Sequence, residues 1–184
     1  MKYLLVIFIL LLTSVSRSYA ADVQKGLTAA ESGNCDEALK EWIPLSEEGN
    51  PIAQYYLGTL YYMGFCVIED YTEALKWFSS SADQGYAKGQ NYLGQMYDMG
   101  YGITQDSVEA MKWYHLAAKQ GDNEAQYNLG FNYKNGRGVM EDKIRAHMWF
   151  NIAASKGNKD AREAMEKLRL SNEEKLEAQK LAKQ

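Results

Sequence analysis

Apolar residues recur along this chain at helical spacing, and the helical pattern itself recurs. Ala53, Leu57, Tyr61 and Gly64 follow one another at steps of four and three, one face of a helix. Asn50 can cap that helix and Pro51 suits its first turn. Gly64 ends it, the loop 65–69 follows, and Asp70 opens a second helix with an inward stripe of Ala74, Trp77, Phe78 and Ala82. The pair then repeats with a step of 36: Gly58, Gly94 and Gly130; Tyr61, Tyr97 and Tyr133; Gly64, Gly100 and Gly136; Trp77, Trp113 and Trp149; Gly85, Gly121 and Gly157. A fixed period in this range means stacked supersecondary units, in which function resides in a surface.

Small residues keep their own columns, Ala53/Gly89/Ala125/Ala161 and Ala82/Ala118/Ala154, which lets helices cross closely while Trp and Tyr fill the space beside them. The Trp column is therefore expected to form the core. Asn34 with Glu37, Asp70 with Glu73 and Asp106 with Glu109 have capping-box spacing, whereas Asp142 is followed by Arg145. Gly49, Gly85, Gly121 and Gly157 stand where left-handed helix ends are needed. The predicted organisation is a degenerate N-terminal capping unit over 21–50, repeats at 51–86, 87–122 and 123–158, and C-terminal capping helices over 159–184. In the tail, Ser171 with Glu174 opens a last helix that either covers the open end of the stack or presents itself to a partner.

Residues 1–20 read as a secretory signal peptide: Lys2, an apolar run from Tyr3 to Leu12, and a small-x-small site predicting cleavage after Ala20. The run is short for a bilayer span and Arg17 follows it. The product is expected in the periplasm or outside the cell, with no integral membrane segment after cleavage. Loss of Lys2 and Arg17 takes the net charge from −4 to −6. A mildly acidic surface of mixed sign suits neither nucleic acid nor anionic membranes, which need clustered Lys and Arg.

Candidate chemistry is sparse. His115 and His147 are 32 residues apart in different repeat phases, so no metal site is expected. Met63, Met96, Met99 and Met111 sit at helix ends and packing stripes, as core filling does. Each GxG closes a helix-to-helix turn and follows no strand, unlike a phosphate loop. No catalytic residue and no cofactor is predicted.

The segments NYLGQMYDMGYGITQDSVEAMKWYHLAAKQG and YNLGFNYKNGRGVMEDKIRAHMWFNIAASKG resemble Sel-1-like repeats, a branch of the tetratricopeptide superfamily. The resemblance implies an all-α, right-handed α-solenoid of helix-turn-helix repeats with a C-terminal capping helix. Repeat two departs at Cys66, where the family has Gly. Cys35 and Cys66 lie in the loops of units one and two, and an exported chain with two Cys commonly pairs them; two free thiols are the alternative. A cysteine-rich branch of the family pairs Cys within each repeat at short spacing. This chain lacks that spacing, so the penicillin-binding activity suggested for that branch is not carried over.

The superfamily lines a concave groove with its first helices. Matching positions are Ile52, Tyr55, Thr59 and Tyr62, then Lys88, Asn91, Gln95 and Asp98, then Glu124, Tyr127, Phe131 and Lys134, each set at spacing 3, 4, 3 on one helical face. Tyr55, Tyr62, Asn91, Gln95, Tyr127 and Phe131 are the candidate binding residues, the rings either recognising a partner or only completing the packing. The expected function is a non-enzymatic, monomeric adaptor for a protein or peptide. A hydrolase acting on cell-wall or β-lactam material is the alternative, and a regulator docking its tail helix on a membrane complex is a third.

Overall fold

The computed structural model describes residues 21–183, so the expected signal peptide and its cleavage site lie outside the described residues. Among these residues there are ten helices and no strand. They are α1 over 21–31, α2 Cys35–Glu47, α3 Pro51–Met63, α4 Tyr71–Asp83, α5 Ala87–Met99, α6 Ser107–Lys119, α7 Asn123–Asn135, α8 Lys143–Ser155, α9 Lys159–Lys167 and α10 Asn172–Leu181. The fold class is all-α, built from stacked adjacent helix pairs. The chain forms two compact units, one ending at Ser81 and one beginning at Ala82.

In the first unit Trp42 is fully buried among Val23, Ala38, Ala53 and Leu57. Its indole Nε1 donates to the Val23 carbonyl at 3.2 Å and its ring stacks on Tyr56 at 4.8 Å. Tyr55 and Tyr62 of α3 both face Phe78 of α4 at 6.2 Å. In the second unit consecutive helices pack on one another from α5 to α9, and α10 returns to α8. Ala161 of α9, with Leu168 and Leu170 beyond it, closes the core around Ala146, Phe150 and Ala153. From α10, Ala178 is buried while Leu176 remains exposed.

The central aromatic column lies one residue beyond the expected one. Trp77, Trp113 and Trp149 are only half-buried. The fully buried rings are Trp42, Phe78, Tyr114 and Phe150, also spaced by 36. The reason is a glycine opposite each ring. A β carbon at Gly58 would lie 2.8 Å from the Phe78 ring, at Gly94 2.8 Å from Tyr114, at Gly130 2.6 Å from Phe150, and at Gly26 closer still to the Trp42 indole. Bare backbone lets a ring lie flat on the neighbouring helix, and the adjacent Trp, about 100° around the helix, is turned out of that contact.

The caps also differ from expectation. Asp70 and Asp106 each accept two backbone N–H groups of the helix they open. The reciprocal half of the capping box is missing, because the N–H of Asp70, Asp106 and Asp142 donates to the Tyr61, Tyr97 and Tyr133 carbonyls at 3.0, 2.8 and 2.9 Å. Glu73 and Glu109 therefore turn to Lys76 and Lys112. Ser171 with Glu174 forms the complete box.

Two further contacts hold the repeats in register. The buried side chains of Gln54, Gln90 and Gln126 donate through Nε2 to the carbonyls of Ser46, Ala82 and Ala118 at 3.0, 3.3 and 3.1 Å. The loop after α7 also meets the start of α6. At Gly138, with φ of 67°, a side chain would collide with the Ser107 backbone. At the matching position of the first unit stands Cys66, also at φ 67°, disulfide-bonded to Cys35 with the Cα atoms 5.0 Å apart.

Candidate functional site

The face offered by the first helices is best formed in the second unit, on α5 and α7. Asn91 is buried, and its Oδ1 accepts from Asn128 Nδ2 at 3.0 Å, tying α5 to α7. Gln95, one turn on, is half-buried, and Lys88 is exposed. Asp98 is buried, contrary to its expected outward place. Its Oδ1 accepts from Ser107 Oγ at 2.8 Å and lies 3.3 Å from the Arg137 guanidinium. Its carbonyl accepts from Arg137 at 3.0 Å and from Gln105 at 2.7 Å. This carboxylate anchors the loop after α7.

From α7, Tyr127 is half-buried and Phe131 is 37% exposed, with the rings 6.5 Å apart. Tyr127 also lies 5.7 Å from the buried Phe150 ring, which fixes its position. The two rings border two adjoining pockets. One, of about 210 Å³, is lined by Lys134, Phe150, Asp160, Glu163 and Lys167 besides the rings. The other, of about 300 Å³, is lined by Gln95, Asp98, Met99, Tyr114, Asn128 and Asn132 besides the rings.

The first pocket carries both signs of charge, Asp160 and Glu163 with Lys134 and Lys167. Partial burial and then Asp160, Glu124 and Glu163 push the Tyr127 hydroxyl above its ordinary value, against a smaller opposing effect of Lys167. Burial, then Asp122 and Asp160, likewise raise the Glu124 carboxyl, which accepts from Asn158 Nδ2 at 3.2 Å.

The candidates on α3 behave differently. Tyr55 is buried, 5.1 Å from Tyr56 and 6.2 Å from Phe78. Tyr62 is half-buried, edge-on to Tyr71 at 5.7 Å. Thr59 donates to the Tyr56 carbonyl at 2.6 Å, and Ile52 is exposed. Of the candidate set, the second unit brings Gln95, Tyr127 and Phe131 together around one pocket. Asn128, Asn132 and the Asp98–Arg137 pair were not singled out from the sequence. Asn132 had a visible signal: its column holds Leu60 and Met96 in the preceding repeats.

The histidines are interhelix residues. His115 packs edge-on to Trp149 at 5.7 Å, and His147 is buried near Lys175. Burial lowers the pKa of both, helped by Lys119 and Lys175 respectively. Among the described residues no three His, Cys, Asp or Glu side chains are placed to hold a metal ion. Nor is any described helix long and apolar enough to cross a membrane.

Comparison with known proteins agrees with this architecture. A Sel1 repeat model matches residues 51–86, 87–122 and 123–158, more than half of the chain. No curated protein matches it. A Sel1 repeat protein from Oxalobacter formigenes aligns over 78% of this chain and 57% of its own, at 30% identity and a TM-score of 0.72. A protective antigen of uropathogenic Escherichia coli strains, displaying an SLR fold, aligns over 82% of this chain and 33% of its own, at 32% identity and a TM-score of 0.72. Cysteine-rich protein B of Helicobacter pylori aligns over 71% and 94%, at 20% identity and a TM-score of 0.56, a likeness of fold alone. The chain thus spans 57% and 33% of the first two structures it resembles. The matched segments cover three consecutive helix pairs, α3 with α4, α5 with α6 and α7 with α8, and the chain belongs to the Sel1 repeat family.

Proposed function

We propose that the protein is an exported, non-enzymatic interaction module that holds a protein or peptide on the concave face lined by the first helices of its repeats. The carrying observation is the pair of partly exposed rings, Tyr127 and Phe131, standing between two adjoining pockets. Rings presented from a rigid helix bury large area at small entropic cost, as interface anchors do. Sel1 repeats are generally protein-interaction scaffolds, and no enzymatic family is indicated. The Cys35–Cys66 bridge favours an oxidising compartment, the periplasm or the cell exterior.

The test is a titration with a partner captured from envelope extract, comparing wild type with the Tyr127→Ala/Phe131→Ala double variant. Loss of at least about 2 kcal/mol of binding is expected for anchor residues, with a smaller loss of stability than truncation of the buried Phe150 ring would cause. Unchanged affinity in a folded double variant would move the binding face elsewhere, to the convex side or α10.

A further inference from the structure

The last of the three matched first helices breaks its own repeat at a buried position. Leu60, Met96 and Asn132 occupy one column and are 5%, 0% and 1% exposed. The first two are apolar, as a core column requires. Asn132 Nδ2 is closed to solvent and has no hydrogen-bond partner. A buried amide donor left unpaired costs stability that Leu or Met would not. The residue also lines the 300 Å³ pocket, beneath Phe131 in sequence and beside Asn128 one turn earlier. Asn128 has already committed its amide donor to Asn91. Asn132 Nδ2 is the amide donor of this wall that is closed to solvent and has no partner.

The other walls define what the partner is. Tyr114, Tyr127, Phe131 and Met99 make the lining mainly apolar. The Asp98 carboxylate in the same wall is buried and already paired with Arg137, so the lining offers no free cation to hold an anion, which would be costly to bury there. An uncharged acceptor on an apolar body fits both constraints. We propose that this pocket takes one uncharged apolar residue of an extended peptide, a backbone carbonyl of which accepts a hydrogen bond from Asn132 Nδ2. The Met99 side chain, 50% exposed, swings aside to admit it. The inference rests on the reading of this face as a peptide-binding surface and adds the chemistry of one subsite.

Two probes distinguish the acceptor. Acetyl-Ala-Leu-Ala-amide offers only neutral carbonyls, whereas N-acetyl-leucine ends in a carboxylate. In ¹⁵N–¹H spectra of the whole protein the capped tripeptide should shift the Asn132 side-chain amide saturably, and N-acetyl-leucine should do so more weakly. Asn132→Leu, the residue of the first matched repeat, should lose about tenfold in tripeptide affinity, the equivalent of one hydrogen bond, while unfolding at the same or a higher temperature. Asn132→Met, after Met96, serves as the second variant should Leu fit poorly. Equal tripeptide affinity in either folded variant, or tighter binding of the carboxylate, would overturn the subsite. So would clear destabilisation of both variants, which would mean that the fold itself satisfies the amide. If shifts on α7 persist but ignore Asn132, the subsite fails and the peptide-binding face stands; if the tripeptide shifts nothing on α5 or α7, both fall.

Discussion

At Gly94 the main chain of α5 lies against Tyr114 so closely that one added carbon would sit 2.8 Å from the ring. Gly94→Ala is expected to cost about 1–3 kcal/mol, the range for overpacking a filled core. Truncating the ring itself, Tyr114→Ala, should cost about 3–5 kcal/mol. Trp113→Ala should cost less than Tyr114→Ala although Trp is larger, because Trp113 is only half-buried. Urea unfolding of the three variants checks the order, and a larger loss at Trp113 would reverse the assignment of the core column. That column was present in the sequence as Trp42, Phe78, Tyr114 and Phe150 at a step of 36. The Trp beside it at 77, 113 and 149 obscured it. Adjacent helical positions point in different directions, and only the glycine on the facing helix decides which of two large rings turns inward.

At the scale of the helix, starts and ends follow from local chemistry, and the cap residues at 50, 70, 106, 122, 142 and 158 act as their types suggest. Asp106→Ala should lower stability by about 1 kcal/mol, the ordinary value of a lost side-chain cap. Glu109→Ala should cost no more than a few tenths, since Glu109 is left only an exposed pair with Lys112. Glu174→Ala, in the complete box, should cost more than Glu109→Ala. Thermal unfolding of the three variants measures this, and equal losses at Glu109 and Glu174 would contradict the tyrosine carbonyl as the competing acceptor. The same local rules placed Tyr55 and Asp98 on the outward face and could go no further. Spacing 3, 4, 3 identifies a helical face, but it does not reveal that Phe78 covers Tyr55 or that Arg137 reaches back from 39 residues away to Asp98. Gln95, Tyr127 and Phe131 keep the partly exposed places that the spacing gave them, at the edge of one pocket.

For the whole chain, the disulfide closes a segment with a sequence separation of 31, and its reduction should lower stability by about 3–4 kcal/mol on the chain-entropy account. Hydrogen exchange under reducing conditions should show the loss in α1–α3, with α7–α9 retaining their protection, since both cysteines belong to the first unit. Uniform loss along the chain would show that its cooperativity spans the division at Ser81. The position of the bridge also governs how an array like this can grow. The loop after α7 meets its neighbour without a covalent tie, as Gly138 meets the Ser107 backbone and Arg137 meets Asp98. A copy of residues 87–122 inserted after residue 122 would keep an Asp98 equivalent opposite Arg137 and leave the original Asp98 facing a tyrosine, the residue at position 101. Inserted after residue 50, it would set the Cys35 thiol against a glycine and leave Cys66, at its left-handed backbone angle, without its mate. Duplication downstream of the bridge thus costs an ion pair, whereas within it a covalent bond is lost, which makes the helix pairs α1–α2 and α3–α4 inseparable in a way the later pairs are not.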